Sequence, residues 1–209
     1  MRLARRRRER GAALLEVALV TPILFVAIFA IIEFGVVFRD QLTVQDAVSD
    51  AARMGAILGP DFTASGTNAD FEIINALRQG VSSLPVGWID RIVIFKASGG
   101  GAGDPVDQVP SACRDGSSVT NRCNVYAPTP AFAAVYNSDA DYFNCAVNAS
   151  SPACNWRPEN RNDGPEPNQI EYVGVYVRID RDAITGMFGS RFTIERAAIV
   201  RLEPGQVGL

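Results

Sequence analysis

Few side chains in this chain have both the type and the setting to do chemistry. Four cysteines, Cys113, Cys123, Cys145 and Cys154, are one group; the other is a single glutamate, Glu16, near the start of the apolar run GAALLEVALVTPILFVAIFAII (Gly11–Ile32). Thiols oxidise in pairs or bind a metal as thiolates. The 209-residue chain has no histidine and no C-x₂-C pair, so zinc is the weaker of those two readings. Four cysteines allow three pairings, and the local pairs Cys113–Cys123 and Cys145–Cys154 are the simplest. The missing histidine also removes the Ser-His and Cys-His nucleophile systems and the commonest general base. Asp139 and Asp141 in NSDADYFN lack the glycine and distal glutamate of a calcium loop. GGGAGDP, beginning at Gly99, has no lysine-serine pair after it and reads as a flexible turn. Asn148-Ala149-Ser150 fits a glycosylation acceptor, a triplet that chance supplies often. No catalytic residue, metal or cofactor is expected, and the chain reads as a non-enzyme.

Glu16 poses a different question, because a carboxylate is costly in a segment suited to lipid. The elements around it set the terms. Arg2, Arg5, Arg6, Arg7, Arg8 and Arg10 precede Gly11 with only Glu9 to oppose them. The rest of the chain holds 14 basic and 22 acidic residues, a net of −8 that is hidden in the overall −3. An acidic body argues against nucleic acid, which needs basic clusters on a folded surface. The arginine run, abutting an apolar segment, reads as a topology signal rather than an RNA-binding arm.

From Ala12 to Phe38 a helix would rise about 40 Å, more than a hydrocarbon core of about 30 Å. The flanking arginines hold the N-terminus in the cytoplasm and send the residues after Phe38 outside. No small-residue cleavage site follows at signal-peptide distance. The run continues through Glu33 into FRDQLTVQDAVSDAARMGAIL, where Leu42, Val48, Ala51, Ala52 and Gly55 recur at helical spacing. One helix is therefore expected from about Ala12 to Leu58, with a bend near Pro22, which removes a backbone hydrogen bond. Glu33, near the outer interface, reads as a solvated carboxylate, with pairing to Arg39 as the sharper alternative.

The arrangement RRRRERG followed by AALLEVALVTP, with Glu16 fifth after Gly11, resembles the class III leader of type IV prepilins and pseudopilins. The stretches RGAALLEVALVTPILF and IIEFGVVFRDQLTVQDAVSDAARMGA are similar, more narrowly, to TadE-like pseudopilins of the tight-adherence pilus system. The resemblance is close over about residues 8–58 and reappears only in outline later, in the closing IVRLEP. It implies cleavage by a prepilin peptidase between Gly11 and Ala12. It also implies that Glu16 pairs with the new N-terminal amine of a neighbouring subunit, a contact that low dielectric would strengthen. The plainer account of Glu16 is that it reaches back to water at the cytoplasmic interface. Other pilins or pseudopilins, inner-membrane pilus assembly proteins and membrane lipid are the implied partners.

Beyond Leu58, Gly59-Pro60 is a helix stop. DFEIINALRQGVSSL (70–84) places Phe71, Ile74, Leu77, Val81 and Leu84 on one helical stripe. Trp88–Phe95, residues 170–180 with Val173, Val175, Val177 and Ile179 alternating, and residues 192–202 with Phe192, Ile194, Ala198, Val200 and Leu202 read as strands. The expected fold is α+β: a long N-terminal transmembrane and amphipathic helix, then a small pilin-like ectodomain with an antiparallel sheet of three strands. The expected divisions are a basic leader at 1–11, a transmembrane helix at 12–38, its amphipathic extension at 39–58 and an extracytoplasmic domain at 59–209. Within the last, 98–169 reads as a long insertion without a core of its own, stapled by the cysteines in an oxidising compartment.

Two functions follow from these readings. One is an assembly protein, a single-pass inner-membrane minor pseudopilin with its C-terminal domain outside the cytoplasm, possible also in the pilus itself. The other is an uncleaved single-span protein whose ectodomain binds a ligand.

Overall fold

The computed structural model describes residues 2–59, 68–97, 108–161 and 170–203, with backbone alone for 2–13. The chain divides into two compact units. One is Met1–Arg39 with Asp182–Phe192; the other is Asp40–Arg181 with Thr193–Leu209. A long helix, α1 (Arg2–Leu58), contributes to both, as do strands β3 (Tyr172–Asp182) and β4 (Arg191–Arg201).

The larger unit is built on a four-stranded sheet of order β2-β1-β3-β4, with β1 at Ile89–Ala97 and β2 at Cys123–Tyr126. β1 pairs antiparallel with both neighbours, Ile94 lying opposite Asn124 on one side and Val175 on the other. Its side chains alternate between two cores, as a strand buried on both faces must. Ile92 and Ile94 enter the larger one, with Val173, Val175, Val177 and Ile179 of β3. Val93, Phe95 and Ala97 enter the smaller one, with Cys113, Cys123 and Tyr176. Gly174 lies opposite Phe95, where a Cβ would meet the ring at 2.2 Å, so only glycine admits that ring.

Helices cover the larger core. The last part of α1 supplies Val44, Ala47, Val48, Ala51 and Ala52, spaced by three and four residues on one buried stripe. Gly59, at φ +54, ends the helix in a left-handed turn, with its N–H donating to Gly55 O at 3.1 Å. α2 (Ala69–Gly80) is capped by Asn68, whose side chain accepts from Phe71 N at 3.1 Å. It buries Phe71, Ile74 and Leu77 as the stripe requires, with Val81 and Leu84 buried just beyond its end. Val44 and Ala47, rather than the half-exposed Leu42, begin the part of α1 that enters the larger core. Leu42 fits the spacing only loosely, so the stripe drifts off it by the time it meets the sheet.

The segment 98–169 corrects the reading of a coreless insertion. Residues 98–107 and 162–169, which include GGGAGDP, lie outside the described residues. The remainder carries β2, the short helix α3 (Ser111–Arg114) and α4 (Pro128–Tyr136). It sends Tyr126, Phe132, Phe143 and Trp156 into the main core. The sheet therefore has a fourth strand, at its edge. A four-residue strand amid Gly, Pro, Asn and Ser gives too little alternation to read. Disulfides join Cys113 to Cys123 and Cys145 to Cys154, the two local pairs. The first is buried against the outer face of the sheet.

Candidate functional site

The first part of α1 holds the residues that the sequence singles out, and it buries almost nothing. Leu15, Leu19, Ile23, Phe25, Ile31 and Phe38 all point away from protein. A helix apolar all round needs lipid or other helices about it, and this one is long and apolar enough to cross a membrane. Glu16 projects exposed from it. Gly11 and Ala12 are helical in backbone, while their side chains lie outside the described residues. Pro22 lies inside α1, which continues through it. Just before it, the Thr21 hydroxyl donates to Val17 O at 2.7 Å, so this polar group is satisfied without water.

Glu33 overturns the solvated reading. It is 0% exposed. One carboxylate oxygen accepts from Ile184 N at 2.8 Å; the other accepts from Thr185 N at 2.7 Å and from the Thr185 hydroxyl at 2.9 Å. These donors sit at the tip of the β3–β4 hairpin, within the same compact unit as Glu33. Phe34 follows it, with its ring 5.4 Å from Phe188 and 6.2 Å from Phe192. A carboxylate among phenylalanines would be expelled if bare; two amides and a hydroxyl make its burial tolerable.

Among its described residues, the larger unit holds two buried ion pairs that sequence reasoning missed. Asp40 accepts from Arg181 Nε at 2.6 Å, and the guanidinium lies 5.3 Å from the Trp88 ring centre. Asp70, in the first turn of α2, is fully buried and bonded to Arg161. It also accepts from Asn124 Nδ2 and the Tyr126 hydroxyl, each at 2.7 Å. Arg161 stacks on Trp156 at 4.4 Å, and Trp156 N donates to Asn124 Oδ1 at 2.7 Å. Burial, then the Asp70 charge, pushes the Tyr126 hydroxyl well above its ordinary range. An acid in the first turn of a helix reads in sequence as a partner for the helix dipole, and nothing local points from residue 70 to residue 161.

The loop residues weighed earlier do modest work. Asp139 Oδ1 accepts from Tyr142 N at 3.3 Å as the cap of a single 3₁₀ turn. Asn148 Oδ1 holds Ser150 through its amide and its hydroxyl. A cleft of about 530 Å³ opens where the end of α2 meets α4, lined by Arg78, Val86, Phe132 and Tyr136 among others.

These observations define an α+β domain and a helix long and apolar enough to cross a membrane. Residues 11–53 match the family model described as TadE-like protein, about a fifth of the chain. The match begins at Gly11, crosses Glu16 and Glu33, and ends within the stripe that enters the main core. No curated protein and no solved structure matches the chain.

Proposed function

We propose that this chain is a TadE-like minor pseudopilin that acts in assembly of a tight-adherence, Flp-type pilus. A prepilin peptidase cuts after Gly11, and the new amine of Ala12 pairs with Glu16 of a neighbouring subunit. α1 then co-assembles with the helices of other pilins, pseudopilins or inner-membrane assembly proteins, with Ala18, Ala27 and Ala30 permitting close approach. The protein resides in the inner membrane with its N-terminus in the cytoplasm and its C-terminal domain outside. Its work is assembly through noncovalent contacts, not catalysis. The observation that carries this reading is the TadE-like match, which starts at the glycine where cleavage is expected and covers the exposed apolar helix.

Intact mass and N-terminal sequencing of protein purified from its native membrane test the reading, beside a Gly11→Ala variant. Wild type is expected to begin at Ala12 and the variant to keep its leader. A wild-type chain that begins at Met1 sinks the processing step and leaves an anchored ligand-binding protein. The cleft beside Tyr136 favours that second reading, since concave apolar sites with a few polar groups are where ligands bind.

A further inference from the structure

The tip of the β3–β4 hairpin, residues 183–190, carries no charge, yet it is bounded on both sides by charge. Asp182 and Arg191 pair at its neck at 3.2 Å, with both side chains more than half exposed. Between them Ile184, Met187 and Phe188 are 57, 52 and 38% exposed, a dense apolar surface for an eight-residue turn. On α1 the same pattern recurs: Phe34 to Phe38 is uncharged and ends at Arg39. The two uncharged stretches touch through Phe34 and Phe188 and through the bonds to Glu33, so their apolar surfaces are continuous.

With Glu16 at the cytoplasmic interface, length sets where the outer lipid boundary falls. The 16 residues from Val17 to Ile32 hold no charge but rise only about 24 Å, short of a hydrocarbon core of about 30 Å. Extending the span to Phe38 gives about 33 Å, which suffices. Glu33 then lies inside the hydrocarbon, where a bare carboxylate is costly and so are the bare N–H groups of a turn. In this structure the two needs cancel, since Ile184 N and Thr185 N donate to Glu33. We propose that the hairpin tip enters the outer leaflet beside α1, with Glu33 as its receptor and Ile184, Met187 and Phe188 against lipid acyl chains. The inference rests on α1 spanning the membrane, and the test separates the two.

The full chain is placed in phosphatidylethanolamine–phosphatidylglycerol vesicles whose acyl chains carry bromine, a contact quencher of indole emission. Phe188→Trp reports on the tip and Phe29→Trp on the helix, each read against the emission of the unsubstituted chain. Loss of emission at both positions is the expected result. Loss at position 29 with red-shifted, unquenched emission at 188 puts the tip in water and overturns the proposal while the span stands. Loss at 29 with blue-shifted, unquenched emission at 188 puts protein over the tip, a second copy of the chain, and overturns the lipid assignment. No loss at either position removes the membrane span, and the tip's insertion with it. Glu33→Ala in the Phe188→Trp background is expected to reduce quenching at 188 and leave position 29 unchanged in its own background.

Discussion

Glu33 in the smaller compact unit and Asp70 in the larger are both buried carboxylates, and they are held by different chemistry. Asp70 meets a guanidinium, an amide and a phenol, all from side chains. Glu33 meets two backbone amides and a hydroxyl at the tip of a hairpin. The side-chain network belongs to a packed core where α2, β2 and the segment around Trp156 have to be held together. The amide cradle belongs to a turn whose N–H groups need an acceptor where water is scarce. A buried ion pair ties distant segments at one point, and losing either partner strands a charge. A carboxylate on backbone amides loses less, because neutralising it leaves no opposite charge behind.

That contrast can be broken or sharpened by substitution. The largest effect is expected from Asp70→Ala, which leaves Arg161 charged and buried and is worth about 3–5 kcal/mol in unfolding of the chain in detergent micelles. Replacing both partners, as Asp70→Leu with Arg161→Met, is expected to recover most of that loss; no recovery would mean that Asn124 and Tyr126 carry the network. Next comes Cys113→Ser with Cys123→Ser, which opens a ring of sequence separation 10 and is expected to cost about 2–3 kcal/mol by the same melt. Glu33→Gln ranks third. It is expected to lower hydrogen-exchange protection at the Ile184 and Thr185 amides about ten-fold, equivalent to about 1.4 kcal/mol, with the Asp70 network unmoved. An equal loss of protection across both units would sink the idea that the two carboxylates act separately.

The smallest effect concerns pH. Tyr126 holds its proton more tightly in the folded chain than in the unfolded one, so its contribution is complete below the unfolded value of about 10. As pH rises above that value the unfolded chain releases the proton first, and stability falls until the folded group titrates as well. Tyr126→Phe is expected to cost about 1 kcal/mol at neutral pH and to flatten the alkaline fall. A melt of the variant that keeps the wild-type alkaline slope would assign that slope to other groups.

Much of the fold is readable wherever a pattern repeats over several turns or residues. The helical stripe of α1 from Val48 onward, Phe71 to Leu84, and the alternation of β3 lie where their periods put them, while Leu42 does not. β2 fails that test because four residues are too few, and it is recruited by pairing with β1 rather than by its own pattern. The two carboxylates fail it for another reason. Arg161 is 91 residues from Asp70, and Thr185 is 152 from Glu33, so only the folded backbone brings them together. Glu16 and Gly11 carry a resemblance rather than a period, and both lie within the residues that match the family model.

Residues far apart in the chain close the same core. Val44 to Ala52 of α1 lie in it with Ile194 and Leu202, and Glu203 N donates to Ala56 O at 3.0 Å. A chain made N-terminus first would thus complete α1 early but close its main core last. Until Ile194 and Leu202 arrive, the core around the apolar stripe of α1 stays incomplete. The arrival of the last strand, and not the formation of α1, would then set when this domain becomes resistant to proteases.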